Sequence, residues 1–146
     1  MYKPITLTGL LLISTASVAD TNPLSAEVKA LWQTGDTQAA QALLTPLVTK
    51  KTKDAQLLAL LGQTEALLNN ADKAEDLLEK AVKIDSNNAD YQHWYATVSC
   101  NQAASASMLS ALGHAKRCKK AYETALKLAP DNPRSYIALG SFLAQA

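Results

Sequence analysis

The chain has 146 residues, of which 48% are hydrophobic and 18% are charged, and its 14 basic residues nearly balance its 13 acidic ones. A formal net charge of +1 without a basic cluster argues against nucleic acids and anionic membranes as partners. Alanine and leucine dominate and only five residues are glycine, which is typical of one mostly helical domain.

The first stretch, Met1 to Ala19, has the pattern of a secretory signal peptide. Lys3 gives it a positive start, Ile5 to Ile13 form an apolar middle, and Ser17 to Ala19 form a small-x-small cleavage site. The apolar middle is too short to span a membrane. The alternative, an apolar first helix of the fold, is disfavoured by the many serines and threonines. We therefore predict a periplasmic or secreted protein whose mature domain covers residues 20–146 and has no membrane span.

The first unit of this domain, residues 21–54, pairs two helical patterns. Asn22-Pro23 is suited to begin a helix that carries apolar residues at helical spacing, and Gly35-Asp36 marks a turn. The second helix, Thr37 to Val48, contains Pro46, which removes a backbone donor and should end the helix early.

The second unit, residues 55–88, shows the clearest pattern. Leu58, Leu61 and Gly62 share one helix, Ala74, Leu78 and Ala81 share the next, and Asn69-Asn70 forms the turn between them. The small residues Gly62 and Ala74 would let the two helices approach closely. The acidic residues of both helices have the spacing of a solvated face; they include Glu65, Asp72, Glu75, Asp76 and Glu79.

The same spacing recurs along the chain. Ala40 lies 34 residues before Ala74, and Cys118 lies 44 residues after it, so one register holds with a single ten-residue insertion. This pattern resembles the tetratricopeptide repeat (TPR) family. The resemblance implies an all-α, right-handed α-α superhelix of about three and a half repeats, namely residues 21–54, 55–88, 89–132 with the insertion, and a partial 133–146.

The third unit carries local aromatic density and the insertion. Tyr91, Trp94 and Tyr95 have the spacing of packed core, with Tyr91 or Trp94 partly exposed; stacking on a ligand is the alternative. The segment Ala103 to Gly113 is either an extension of both helices into a longer hairpin or a protruding apolar loop, with Met108 and Leu109 as a docking tip.

Cys100 and Cys118 are the only cysteines, and in an exported protein they are candidates for a disulfide across this hairpin. A small buried Cys118 without a bridge is equally compatible with the pattern. A metal site made of Cys100, His114 and Cys118 lacks a fourth ligand. No glycine loop for phosphate or metalloprotease motif is present, and nothing orients His114 toward a nucleophile, so we expect neither catalysis nor a cofactor.

The family resemblance implies that the first helices of successive repeats line a concave binding groove. Mapped onto this sequence, the groove residues are Gln56, Ala59, Gln63, Asp90, His93, Thr97, Arg134, Ile137 and Ser141. The lysine and asparagines that the family uses to clamp chaperone tails are replaced by Ala59, Gln63 and Trp94. An extended peptide held by polar and small side chains is therefore the expected ligand.

The last segment, Pro133 to Ala146, supplies a first helix without a second. Tyr136, Leu139, Gly140 and Leu143 are expected to pack on the preceding helix, leaving Ile137 and Phe142 uncovered. This edge predicts a contact, either self-association with another copy of the chain or packing against further repeats that this chain lacks. The sequence as a whole predicts a non-catalytic, protein-binding scaffold of the bacterial cell envelope. The alternative is a metal- or redox-responsive carrier or sensor that uses Cys100, His114 and Cys118.

Overall fold

The computed structural model describes residues 22–145. This part of the chain contains helices and no strand. The helices are α1 (Pro23–Gln33), α2 (Thr37–Leu44), a short 3-10 helix (Thr45–Leu47), α3 (Ala55–Leu67), α4 (Ala71–Ile84), α5 (Ala89–Ser105), α6 (Met108–Leu128) and α7 (Pro133–Gln145). None of the helices described is long and apolar enough to cross a membrane. The predicted signal peptide, Met1 to Ala19, lies outside the described residues.

The helices form three hairpins, and α7 begins a fourth. Short loops join α1 to α2, α3 to α4 and α5 to α6, so the two helices of each pair run antiparallel. Each hairpin packs on the next, through α2 on α3, α4 on α5 and α6 on α7. The apolar core is continuous along this stack, from Val28 to Tyr122. The structure is therefore the all-α solenoid that the repeat pattern predicts.

Asparagine, aspartate and glycine occupy the turns and the helix starts of the hairpins. Gly35 and Asn69 adopt left-handed backbone conformations, with φ of 81° and 62°, in the turns of the first two hairpins. Glycine and asparagine tolerate this region better than other residues. Asn22, Asp54 and Asn88 cap the first helix of each hairpin, because their side-chain oxygens accept backbone N–H groups at the helix start. The predicted turn positions are confirmed.

The repeat register holds at the helix crossings. Ala40, Ala74 and Cys118 are all fully buried, as equivalent positions should be. The small size of Gly62 permits a close approach of α3 and α4: a Cβ added there would lie 2.8 Å from Cγ of Leu78, closer than real Cβ contacts. Because Leu78 is itself fully buried, the α3–α4 hairpin depends on glycine at this position.

The first hairpin departs from the pattern at its end. Helix α2 stops at Leu44, and the chain continues as a 3-10 turn that contains Pro46. Leu47 occupies the position equivalent to buried Ala81, yet it is 48% exposed. The proline therefore ends the helix as predicted, and the early end also turns Leu47 toward solvent.

The insertion lengthens both helices of the third hairpin. Helices α5 and α6 have 17 and 21 residues, against 13 and 14 in α3 and α4. Only Ala106 and Ser107 separate them, so of the two alternatives left open by the sequence the structure shows the longer hairpin. At the tip, Met108 and Leu109 are 90% and 93% exposed.

Two acidic residues expected on a solvated face are instead enclosed. The Glu65 side chain is fully buried, where its carboxylate accepts hydrogen bonds from Gln41 and Asn70 and pairs with Lys73 Nζ at 2.6 Å. Burial alone would raise the pKa of Glu65, but these donors outweigh it and hold the pKa below its ordinary value. The solvated-face prediction was wrong for Glu65 because α2 and α4 cover that side of α3.

Glu75 is the second enclosed carboxylate, and it joins three helices. From α4, it accepts hydrogen bonds from Ser99 Oγ on α5 at 2.8 Å and from Arg117 Nε on α6 at 3.0 Å. His114 Nδ1 lies 3.0 Å from its other oxygen. Burial opposes ionisation, but these contacts and the arginine charge lower the pKa of Glu75 overall. The solvated-face prediction was therefore also wrong here, whereas Asp76 is exposed as predicted.

Helix α7 packs only in part through the face expected. Leu139 packs against the core cluster as predicted, whereas Tyr136 and Leu143 remain 55% and 53% exposed. The prediction that Phe142 stays uncovered was wrong, because this ring also packs against the core. Ile137 is uncovered, as predicted. The residues that the repeat pattern buries face the side where a second helix would lie, and no such helix is present in the described chain.

Candidate functional site

The first helices of the hairpins line a concave cavity of about 820 Å³, here called the groove. Helices α1, α3 and α5 form its wall, and the start of α7 closes one end. The lining residues are Ser25, Lys29, Trp32, Gln33, Gln56, Ala59, Leu60, Gln63, Leu67, Asn88, Asp90, Tyr91, Trp94 and Arg134. Side-chain amides and aromatic rings dominate this surface.

Five of the predicted groove residues line this cavity. Ala59 and Gln63 lie on its floor, almost fully buried, and Gln56 lies beside them on α3. Asp90 and Arg134 are exposed at the end that α5 and α7 form. The structure thus brings residues from three helices onto one continuous surface.

The structure places the other four predicted residues elsewhere. His93 is buried, with its Nδ1 atom 3.0 Å from Ser135 Oγ and its ring edge-on to Tyr122. Burial, aided by the charge of Arg134, lowers the pKa of His93. The expectation that His93 faces the groove is corrected, because α7 covers this residue.

Thr97 and Ser141 line a second cavity, between the third hairpin and α7, and Ile137 lines neither cavity. Thr97 Oγ1 lies 2.9 Å from the hydroxyl of Tyr122, in a hydrogen bond between α5 and α6. The predicted groove positions beyond the middle of α5 therefore do not belong to the groove.

The aromatic character of the groove was not predicted from the sequence. Trp32, Tyr91 and Trp94 line it while each remains only partly buried. Trp94 packs on the core, as its helical spacing predicts, and its ring also lines the groove. Trp32 is one of the apolar residues at helical spacing in α1. Its partly exposed ring has no signal in the repeat spacing.

Hydrogen bonds position the groove side chains before any ligand is present. Trp32 Nε1 donates to Thr64 Oγ1 at 3.1 Å, which fixes the indole ring against α3. Asn22 Nδ2 donates to Gln56 Oε1 at 2.8 Å, and this hydrogen bond fixes the orientation of the Gln56 side-chain amide. These contacts join α1 to α3 and hold one wall of the groove in place.

The groove has little net charge. Among its lining residues, Lys29 and Arg134 are cationic and Asp90 is anionic, which gives two positive charges against one negative. A ligand with several carboxylates would therefore find few cations. Shape, amide hydrogen bonds and aromatic contact are the interactions that this surface offers.

The second cavity, of about 710 Å³, lies between the long α5–α6 hairpin and α7. It exists because the hairpin extends beyond the position where α7 covers it. The lining is mostly apolar and comprises Thr97, Cys100, Asn101, Ala103, Ala104, Met108, Ala111, Leu112, Ala115, Tyr122, Ala138, Ser141 and Phe142. The cavity therefore depends on the ten-residue insertion, which lengthens α5 and α6.

The two cysteines face each other across the same hairpin. The sulfur atoms of Cys100 and Cys118 lie at disulfide distance, and their Cα atoms are 5.1 Å apart. This Cα separation is within the ordinary range for a disulfide. The sequence left the geometry open, and the structure brings the pair together.

The metal alternative finds no grouping of ligands. Within residues 22–145, no three histidine, cysteine, aspartate or glutamate side chains are placed to hold a metal ion. His114 is directed to Glu75. Cys100, His114 and Cys118 therefore do not assemble as the metal hypothesis requires.

One protein-family model matches nearly all of the repeat stack. The model described as RMD1-3, regulator of microtubule dynamics protein 1-3, matches residues 24–145. The chain belongs to the RMD1-3 family. No curated protein matches it in sequence.

Solved structures similar to this RMD1-3 family member are TPR proteins. TTC0263, a thermophilic TPR protein of Thermus thermophilus, has a TM-score of 0.72 and 17% identity, over 87% of this chain and 66% of that one. The first TPR of Spaghetti (RPAP3), bound to the HSP90 peptide SRMEEVD, has a TM-score of 0.66 and 17% identity, over 84% and 89%.

A third similar structure is the Yersinia enterocolitica type III secretion chaperone SycD, in complex with a peptide of the translocator YopD. Its TM-score is 0.62 at 15% identity, over 84% of this chain and 91% of that one. At these identities the likeness concerns the fold alone. The tetratricopeptide architecture predicted from the sequence is thereby confirmed.

Proposed function

We propose that this chain is a non-catalytic scaffold of the bacterial cell envelope that binds an extended segment of another protein in the groove. The observation that carries the proposal is the groove itself, a cavity of about 820 Å³ whose wall comes from three consecutive hairpins. Two similar TPR structures hold peptides, one of HSP90 and one of YopD, which supports a protein-binding role.

The lining favours a particular class of peptide. Gln33 is exposed, so its amide can donate to and accept from the backbone of an extended chain; Asn88, whose side-chain oxygen caps α5, offers its amide nitrogen as a donor. Trp32 and Trp94 provide flat apolar surfaces for the side chains of that segment. We therefore expect an uncharged segment with aromatic or large aliphatic residues.

A strongly acidic peptide fits this groove less well. The Spaghetti structure holds the peptide SRMEEVD, which ends in acidic residues. Here Ala59, Gln63 and Trp94 occupy the positions that match the clamp residues of the TPR family, and Asp90 lines the same cavity. Net attraction for carboxylates is small, so the ligand differs from an acidic tail in chemistry.

Location in the envelope rests on the sequence of Met1 to Ala19. Its charged start, apolar middle and small-x-small site support export to the periplasm or the cell exterior. The cysteine pair at disulfide distance suits an oxidising compartment. Without Met1 to Ala19, and thus Lys3, the chain carries 13 basic and 13 acidic residues, which supports a protein partner in place of nucleic acid.

A peptide-display screen with the mature chain tests the groove. Selected peptides are measured by calorimetry against the wild type and against Trp94→Ala and Gln33→Ala. We expect Trp94→Ala to weaken binding at least about tenfold, equal to about 1.4 kcal/mol, because the ring supplies desolvated contact area. Gln33 is exposed, so its removal leaves the fold intact.

Asp76→Ala is the matched control, because Asp76 is exposed on α4 and does not line the groove. Circular dichroism verifies that each variant keeps its helices. Equal affinity of all four proteins for every selected peptide would contradict the proposal.

Family membership supports a second candidate function. The family name refers to regulation of microtubule dynamics, so the proposed protein ligand in that case is tubulin. Co-sedimentation with polymerised tubulin tests this candidate. Saturable binding that Trp94→Ala abolishes would favour it over a role in the bacterial envelope, since an exported bacterial protein does not meet microtubules.

The sensor alternative now rests on the redox chemistry of Cys100 and Cys118 alone. Thiol counting with and without reductant determines whether the pair is oxidised in the purified chain. Self-association through α7 remains a prediction, and sedimentation velocity of the mature chain tests it.

A further inference from the structure

The two residues of the cysteine pair differ in their access to solvent. Cys100 on α5 and Cys118 on α6 lie at disulfide distance, with their Cα atoms 5.1 Å apart. Cys118 is 0% exposed and belongs to the core cluster, whereas Cys100 is only partly buried at its edge. A bond between these residues therefore has one shielded end and one end that borders open space.

The open space beside Cys100 is the second cavity, of about 710 Å³. Cys100 lines this cavity, whereas Cys118 does not. The other lining residues of α5 and α6 are mostly small, and they include Ala103, Ala104, Ala111 and Ala115. These short side chains leave room next to the Cys100 sulfur for a group attached to it.

The chemistry of a disulfide makes this difference in access decisive. A thiolate attacks one sulfur on the side opposite to the bond that breaks, and the other sulfur leaves as a thiolate. Attack at Cys118 would require the thiolate to enter the packed core between α5 and α6, where this residue is fully buried. Attack at Cys100 requires entry into the second cavity alone.

The lining of the second cavity favours an uncharged reactant. None of the described residues that line it is charged, and its polar side chains include those of Thr97, Asn101 and Ser141. An ionised group carried in by the reactant would lose hydration without gaining an ion partner. A compound with no charge beyond its reacting sulfur avoids that cost.

We propose that Cys100 is a site of thiol exchange, at which a small uncharged thiol compound opens the bond between α5 and α6. The thiolate of the compound forms a bond with Sγ of Cys100, and the bond from Cys100 to Cys118 breaks. Sγ of Cys118 leaves with the electron pair of that bond and takes a proton from water. The sulfur of the compound is thereby oxidised and that of Cys118 is reduced.

The product is a mixed disulfide whose attached group lies in the second cavity. The two helices of the third hairpin then have no covalent bond between them, although Cys100 itself remains in a disulfide. This step gives the sensor alternative a defined point of entry. Cys100 does not line the groove, so the site is separate from the proposed peptide-binding surface.

The test begins with the mature wild-type chain, oxidised with diamide and then exposed briefly to β-mercaptoethanol. Acid stops the exchange, and free thiols are blocked with N-ethylmaleimide in denaturant, so that mass spectrometry of peptides locates the adduct. We expect at least about tenfold more adduct on Cys100 than on Cys118, because access decides which sulfur is attacked. Equal adduct on both residues, or two thiols that stay free after oxidation, would overturn the proposal.

A blocking substitution tests entry through the second cavity. Ala104 lines the cavity, is exposed and lies one helical turn after Cys100 on α5. Ala104→Trp should slow the opening of the disulfide at least about fivefold, because the ring covers the approach to Cys100. The matched control is Ser105→Trp, since Ser105 is the next residue, is exposed and does not line the cavity.

Ser105→Trp should react at the wild-type rate, and circular dichroism verifies that both variants keep their helices. Equal rates for the two tryptophan variants would exclude the second cavity as the route and overturn the proposal. Ala104 does not line the groove, so groove peptides should bind Ala104→Trp with unchanged affinity. The exchange site and the groove can therefore fail independently.

The charge of the reactant is tested with mercaptoethanesulfonate, which carries a sulfonate where β-mercaptoethanol has a hydroxyl group. At equal thiolate concentration it should open the disulfide of the folded chain at least about threefold more slowly than β-mercaptoethanol. The urea-unfolded chain has no cavity and should not show this preference. Equal preferences of the folded and unfolded chains would overturn the assignment to an uncharged compound.

Discussion

The second and third hairpins share one register but differ in how their helices are joined. In the second, Gly62 lets Leu78 approach α3 closely, and the hairpin ends where the repeat ends. In the third, Ala96 and Tyr122 hold the equivalent positions and are 0% and 4% exposed, and both helices continue further. Cys100 and Cys118 lie at disulfide distance near this crossing.

The difference shows two ways of stabilising one architecture. A hairpin of minimal length is held by dense packing along its whole span. A lengthened hairpin has a tip with no neighbouring repeat, where Met108 and Leu109 are almost fully exposed. Packing contributes little to the stability of this tip. A bond between Cys100 and Cys118 would limit the separation of α5 and α6.

The largest expected effect concerns the cysteine pair. If Cys100 and Cys118 are bonded, adding reductant to the purified chain should lower the free energy of unfolding by about 3 kcal/mol, because the released loop regains its entropy. Urea denaturation with and without reductant measures this. The double variant Cys100→Ala with Cys118→Ala is the control and should not respond. An unchanged wild-type midpoint would show that the third hairpin stands without a covalent bond.

The next effect compares equivalent glycines. Gly62→Ala should destabilise the chain by about 1–2 kcal/mol, because the added methyl group overlaps buried Leu78 by more than helix propensity repays. Gly140→Ala, where the space is open, should stabilise it by about 0.5–1 kcal/mol. Thermal unfolding of both variants checks the sign. Stabilisation by both would show that the α3–α4 crossing is not tightly packed.

The smallest effect is the response of the second and third hairpins to acid. Glu65 and Glu75 have pKa values below the ordinary 4.5 in the folded chain. Their stabilising contribution is therefore complete well above pH 4.5 and is lost as pH falls below 4.5 through the lowered values. Glu75→Gln should flatten the loss of stability in this acid range, as measured by urea midpoints at several pH values. A pH profile of stability identical to that of the wild type would show that Glu75 does not contribute to the acid sensitivity.

Most of the architecture could be predicted from the sequence, because small residues at fixed intervals require equivalent helix crossings. The turns at Gly35 and Asn69 and the effect of Pro46 follow from local rules of backbone geometry, whereas the sequence left the insertion open between a longer hairpin and a protruding loop. These features depend on near neighbours along the chain. The spacing of residue types along the sequence is sufficient to predict them.

Features that depend on neighbouring helices could not be predicted. Glu65 and Asp76 have similar helical spacing, yet the positions of α2 and α4 decide that Glu65 is enclosed. The same limit applies to the groove, since His93 is covered by α7 while Trp32 remains partly exposed to the cavity. The exposed side of α7 was misassigned because the repeat pattern assumes a second helix that the described chain does not provide.

The enclosed carboxylates have a mechanical consequence. Glu65 connects the first hairpin to the second through Gln41, and Glu75 connects the second to the third through Ser99 and Arg117. Bending the solenoid at either joint would break these charged hydrogen bonds and leave an ion unsolvated. The curvature is therefore stiff, and the width of the groove is set before a ligand arrives, which reduces the entropy lost on binding.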